Sequence, residues 1–134
     1  MKGGRFLKFH LPFWVIAVSV FTASSIPGDK LPETAFLLSD KLIHLLMYFV
    51  FFMSAAWMFM NQEKFLLFKK HYLISGLAVT AFYGLTDEIH QYFVPNRSCD
   101  FYDFVFDVLG GITGLIVMYF IFYKRKNYLV IQND

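Results

Sequence analysis

Three stretches of this sequence set ionisable and hydrogen-bonding side chains at helical spacing. Lys41, His44 and Tyr48 stand at i, i+3 and i+7, which is one face of a helix. Gly84, Glu88 and Gln91 follow the same rule at i, i+4 and i+7. Asp100, Asp103 and Asp107, then Gly110 or Gly111 and Gly114, make one continuous stripe that is acidic at its start and glycine further on. Arg97 sits in the short loop before that stripe. Such a set could do several kinds of chemistry. Carboxylates in unequal environments divide into acid and base, with Glu88 and Asp103 as the candidates. His44 could move protons near neutral pH. Arg97 and Lys41 could clamp a phosphate or carboxylate, with Tyr48, Gln91, Asp100 and Asp107 as further contacts to a ligand. The acids could hold Mg²⁺ or Ca²⁺ through oxygen, although no spacing here indicates a cofactor and the metal stays open.

Each residue also has a plainer role. Asp40 reads as an N-cap before an apolar run. Lys41 could snorkel to the interface and Tyr48 could belong to an aromatic belt. Asp87 and His90 point to a face beside that of Glu88 and fit a helix end emerging into water. A structural polar network would use the same residues, so the pattern does not fix a reaction.

The elements that must position these groups are apolar. A helix crossing the hydrocarbon core needs about 20 mostly apolar residues. Four segments meet or approach this: residues 6–26, 41–60, 72–92 and 101–123. Barrel strands would alternate over about ten residues, whereas these runs are continuously apolar. The expected fold is all-α: one polytopic membrane domain over residues 1–134, built as a four-transmembrane-helix bundle. Gly110 and Gly114 give the fourth helix a small-residue face for close packing, so its acidic stripe should face the bundle. Asp107 then lies about one turn inside the membrane. An ionisable group there is a functional candidate by default, or else pairs with Lys41 or Arg97.

Charge sets the orientation. Cytoplasmic segments are enriched in Lys and Arg. Nine of the twelve basic residues fall before the first segment (Lys2, Arg5, Lys8), between the second and third (Lys64, Lys69, Lys70) or after the fourth (Lys124, Arg125, Lys126). Lys30, Lys41 and Arg97 fall on the other side. Both termini are expected in the cytoplasm. Eight of the ten acids, Asp29, Glu33, Asp40, Asp87, Glu88, Asp100, Asp103 and Asp107, map to the outer side, and only Glu63 and Asp134 map inside. The positive-inside rule does not require this acidic bias, so a polar site facing outward is the expected reason. The basic start, apolar stretch and Thr22-Ala23-Ser24-Ser25 also resemble a cleaved signal peptide, which leaves cleavage of the first helix open.

Composition narrows the class. The 134 residues suffice for one domain. They are 57% hydrophobic, against about 45–50% apolar in soluble domains, so the excess faces lipid. The single cysteine, Cys99, excludes an intrachain disulfide. Without a basic stripe or phosphate loop, nucleic acid is not an expected partner, while membrane lipids are.

The run Ser25-Ile26-Pro27, then Asp40-Lys41 with His44 and Tyr48, then Tyr83-Gly84 with Asp87-Glu88, Gln91, Pro95 and Arg97, then Asp103, Asp107 and Gly110 resembles the VanZ-like family of small bacterial membrane proteins. The likeness covers roughly residues 20–120. It implies a four-helix protein of the bacterial cytoplasmic membrane, with Lys41, His44, Glu88, Gln91, Arg97, Asp103 and Asp107 at signature positions and Ser25 beside them. It also implies a link to the cell envelope and to glycopeptide (teicoplanin) resistance, through an envelope precursor or glycopeptide ligand. It implies no settled activity, and enzyme or accessory binding protein are both open. Related proteins often carry Asn at the position of Asp107, which argues against an obligatory metal carboxylate there. Fold and family do not fix function.

Overall fold

The computed structural model describes residues 2–30 and 37–131, with side chains described over 4–30 and 40–122. Among the described residues every regular element is helical: α1 (Lys2–Phe9), α2 (Leu11–Ser24), a 3-10 turn (Gly28–Lys30), α3 (Leu37–Asn61), α4 (Leu66–Lys70), α5 (Tyr72–Gln91) and α6 (Phe101–Ile131). The continuous first helix expected over 6–26 is two helices. Pro12 stands at the start of α2, where its missing N–H is tolerated. That imide cannot donate to the carbonyl of Lys8, so the chain breaks at His10. Asp40 is not an N-cap, because α3 begins three residues earlier. It lies in the first turn, where a carboxylate still complements the helix dipole.

The α3 helix is the hub and packs against α6, α5 and α2. Tyr48, Phe51, Phe52, Ala55 and Ala56 recur at helical period and are each 1% exposed or less. Phe13, Ala17 and Val20 of α2 close on the Tyr48–Phe51–Ala55 edge, and Met118 of α6 closes on Phe52 and Ala56. Gly110 of α6 sets the closest approach. A Cβ there would stand 2.3 Å from the Leu45 carbonyl oxygen and 2.9 Å from the Phe49 nitrogen, so only glycine permits this contact. The glycine stripe of α6 therefore faces α3.

The outer faces are also apolar. Trp14, Val15 and Val18 of α2, Leu42, Leu46 and Val50 of α3, Phe82 and Ile89 of α5 and Ile116 of α6 are all exposed. Two helices are long and apolar enough to cross a membrane, through Asp40–Asn61 and Phe101–Phe122, and α2 is a shorter apolar one. Their most apolar windows are only 33% and 28% buried, whereas the core helix of a soluble protein is mostly covered. A helix apolar on all sides and only partly covered by protein fits a lipid surrounding.

Different contacts close the two ends of the bundle. At one end Arg5 pairs with Glu63 at 2.9 Å and donates to the Asn61 carbonyl at 3.3 Å. Gln62 exchanges side-chain hydrogen bonds with the backbone of Phe65 and so shapes the turn into α4. At the other end the Gly28 N–H donates to the Pro95 carbonyl at 3.0 Å, joining the loop after α2 to the loop before α6. Asn96, with φ of 58°, turns that second loop. Glu33 and Asp134, both placed in the acidic tally, lie outside the described residues, as do the side chains of Lys2, Lys124, Arg125 and Lys126.

Candidate functional site

The polar stripes of α3, α5 and α6 meet at the end opposite the Arg5–Glu63 pair. Periodicity brings them together. Lys41 and His44 lie on the face of α3 that continues into the Tyr48–Phe51–Phe52 core, and Asp103 and Asp107 lie on the face of α6 that continues into Gly110. Asp103 and Asp107 are 6% and 0% exposed, His44 8%, Glu88 and Gln91 each 2%. Charged groups at this depth carry a large desolvation cost unless they are paired.

Lys41 binds two aspartates. Its Nζ donates to Asp100 Oδ2 at 2.6 Å and to Asp103 Oδ1 at 2.5 Å, with Asp40 further off at 3.6 Å. The Asp100 carboxylate lies outside the spans and partly in solvent. Its hydrogen bonds from Lys41 and from the Tyr102 N–H hold its carboxyl below the usual carboxylate range. The Lys41 ammonium is thus engaged, and clamping a ligand would require it to leave these partners.

His44 and Asp107 form the second unit. His44 Nδ1 lies 2.9 Å from Asp107 Oδ1, and Nε2 lies 3.9 Å from Asp103 Oδ1. The partner of Asp107 is therefore His44, and neither Lys41 nor Arg97 reaches it. A carboxylate that accepts from Nδ1–H fixes the tautomer and leaves Nε2 as a proton acceptor. The other oxygen of Asp107, Oδ2, is buried and has no hydrogen-bond partner among the described residues. Gly84 makes room for it, because a Cβ there would lie 3.0 Å from Oδ2 and 3.3 Å from the Tyr48 ring. The Tyr48 hydroxyl is likewise buried without a partner.

Glu88 ties the loop to the cluster. Its Oε2 accepts the Asp100 N–H at 2.9 Å, which seats the start of α6 against the end of α5. Gln91 donates to Asp87 at 3.2 Å and faces Glu88 at 3.5 Å. Asp87 is a correction to the sequence reading, which turned it toward water: it is 5% exposed. Its carboxylate accepts from Gln91 of its own helix inside the bundle end. The Asp87–Gln91 spacing of i, i+4 was the signal available for it.

Two expected members stand apart. Ser25 donates to the Phe21 carbonyl at 2.6 Å and lies 2.9 Å from His90 Nε2. The His90 ring stacks on Phe21 at 4.6 Å, so Ser25 joins α2 to α5 beside the cluster and does not enter it. Arg97 makes no ion pair among the described residues, and its Nε is buried without a hydrogen-bond partner.

Two sets of groups come close enough to share one cation, with ligand atoms within 4.8 Å of one another: His44 with Glu88 and Asp107, and Asp40 with His44 and Asp103. The arrangement can hold a proton at His44, bind an anion near Arg97, or take a metal ion. No curated protein and no solved structure matches the chain. A family model described as VanZ/LLP1 matches residues 9–123, which takes in every residue of the cluster. The resemblance carried by the Lys41–His44, Glu88–Gln91 and Asp103–Asp107 motifs thus stands, and the chain belongs to the VanZ-like family.

Proposed function

We propose that the chain is a multi-pass protein of the bacterial cytoplasmic membrane whose buried polar cluster faces the extracytoplasmic side. There it binds or acts on a lipid-linked, peptidoglycan-related or glycopeptide ligand. In this reading α2, α3, α5 and α6 enter or cross the membrane, both termini are cytoplasmic, and residues 1–134 form a single membrane domain. The Lys and Arg distribution supports the orientation. So does the pairing of Arg5 with Glu63 at the end away from the cluster. A contribution to glycopeptide resistance, teicoplanin included, is proposed from the family alone.

One observation carries the reading: the His44–Asp107 pair at 2.9 Å, buried beside Glu88 where three helices converge. Packing alone does not call for such a pair, because apolar residues of similar volume hold buried positions at least as well. The pair orients an imidazole for proton transfer, and Glu88 supplies a second carboxyl in a different environment. Arg97, partly exposed and without an ion-pair partner among the described residues, is the group best placed to meet an anionic ligand at headgroup level.

The test is teicoplanin susceptibility of a bacterial host expressing the chain, measured with the amount of protein in its membranes. Glu88→Gln and His44→Ala should abolish any protection while the protein accumulates normally. Full protection in both variants would refute the site. A second reading, a structural polar network, is favoured by the engagement of Lys41 with two aspartates. It would show as loss of protein from the membrane in the same variants.

A further inference from the structure

Buried charge is out of balance in the cluster. Asp87, Glu88 and Asp107 are 5%, 2% and 0% exposed. Among the described residues no lysine or arginine contacts any of the three, because Lys41 is spent on Asp100, Asp103 and Asp40. Buried carboxylates that meet no cation cost several kcal/mol each in the charged form even when hydrogen-bonded, and a bound cation would offset that cost.

A second, independent observation says where that charge belongs. Asp107 Oδ2 is buried with no partner. The Tyr48 side chain, 1% exposed, has a hydroxyl with no partner either. Its ring lies against Gly84 beside that same oxygen. Buried polar atoms left without partners in a native fold call for an explanation, and a bound ion is one that also answers the uncompensated charge.

We propose that His44, Glu88 and Asp107 bind a divalent transition cation of the Zn²⁺ or Mn²⁺ class. The three residues come from α3, α5 and α6, so the ion would join the three helices. His44 Nδ1 and Asp107 Oδ1 stand 2.9 Å apart. In an octahedral shell with bonds of about 2.1 Å adjacent ligand atoms are about 3.0 Å apart, so an ion there would take the place of the proton that this pair shares in the hydrogen bond. Two carboxylates with one imidazole are a mixed oxygen and nitrogen set, which favours these ions over Mg²⁺ or Ca²⁺. Three protein ligands leave coordination positions open for water or a ligand oxygen. The other set, Asp40, His44 and Asp103, is the poorer choice. Lys41 already occupies Asp103 Oδ1 at 2.5 Å and would repel a cation there, and the Asp40 side chain is 34% exposed. Asparagine at position 107 does not conflict with the assignment, because an amide oxygen also ligates cations.

The inference rests on the cluster being a working site, but not on which envelope ligand it serves. The test uses full-length protein purified in detergent, stripped with a chelator, incubated with Zn²⁺ or Mn²⁺ and desalted. Elemental analysis should find a single ion retained per chain. Glu88→Gln and His44→Ala should weaken retention by about tenfold or more, and Asp107→Asn by less. His71→Ala, at the far end of α5, should leave it unchanged. X-ray absorption on the wild-type zinc form needs no variant. It should show one imidazole, the remaining ligands oxygen at about 2.0–2.2 Å, and no sulfur. Failure to retain an ion, equal retention by Glu88→Gln, or a shell containing several imidazoles or the Cys99 sulfur would overturn the assignment. If no ion is retained and Glu88→Gln still abolishes protection from teicoplanin, the metal falls and the envelope reading stands. An ion retained as described, with protection unaffected by the same variant, would do the reverse.

Discussion

Replacing Gly110 with alanine should disturb both the fold and the site through a single methyl group. The new Cβ would sit 2.3 Å from the Leu45 carbonyl oxygen and 2.9 Å from the Phe49 nitrogen. Both are backbone atoms of α3, so no side chain can swing aside. Ordinary carbon–oxygen contact is about 3.3–3.6 Å, so α6 must move off α3 by about 1 Å. Overpacking of this kind costs about 1–3 kcal/mol. In a chain of this size that lowers the melting temperature by roughly 3–5 °C per kcal/mol. Asp107 lies one turn before Gly110, so the same movement stretches its 2.9 Å contact with His44. A displacement of about 1 Å at a reacting group costs on the order of 100-fold in rate. The assay is thermal unfolding in detergent followed by circular dichroism, with the susceptibility assay in parallel. Gly4→Ala is the control, because nothing lies within 4 Å of a Cβ there. If Gly110→Ala melts with Gly4→Ala and keeps full function, the close α3–α6 approach is wrong.

Further outcomes follow from the same contacts. Lys41→Met should destabilise by about 3–5 kcal/mol, because it strands the buried Asp103 carboxylate; Asp103→Asn in the same chain should restore part of the loss, and a double-mutant cycle by thermal unfolding measures the coupling. Ser25→Ala removes the hydrogen bonds to the Phe21 carbonyl and to His90 and should cost only about 0.5–1.5 kcal/mol for each, leaving teicoplanin protection intact. Tyr83→Phe deletes the 2.6 Å bond to the Ala17 carbonyl that joins α5 to α2; it should cost a similar amount, read as a lower melting temperature. Asp100, whose carboxyl is held below its usual range by Lys41, adds stability that is fully present above the unfolded carboxyl value and is lost as pH falls through the lowered one. The acid limb of a stability–pH curve should therefore flatten in Asp100→Asn, and an unchanged curve would contradict the pairing.

Helical class and family were legible because they rest on long-range regularity. Continuous apolar runs exclude strands, and the order of short motifs identifies the family. The convergence of three stripes was legible because helical period is local and rigid. Partners were not legible. In sequence Lys41 could pair with any of the aspartates of the α6 stripe, and only the rotation of α6 about its axis gives Lys41 to Asp100 and Asp103 and His44 to Asp107. Asp87 was lost for a related reason. It stands beside Glu88 in sequence, and its burial depends on how the helices close at this end, which no spacing rule encodes. The break at His10 was legible in principle, since Pro12 interrupts the hydrogen-bond ladder, but an apolar run hides it.

The central claim is that the polar cluster opens to the outside of the cell. Cys99 is the chain's only thiol, is exposed, and lies in the loop between α5 and α6 that also carries Arg97. A membrane-impermeant maleimide applied to intact cells, with detergent-opened cells as reference, tests that claim directly. The account expects full labelling of Cys99 in intact cells. Labelling only after the cells are opened would put the cluster on the cytoplasmic side and contradict it.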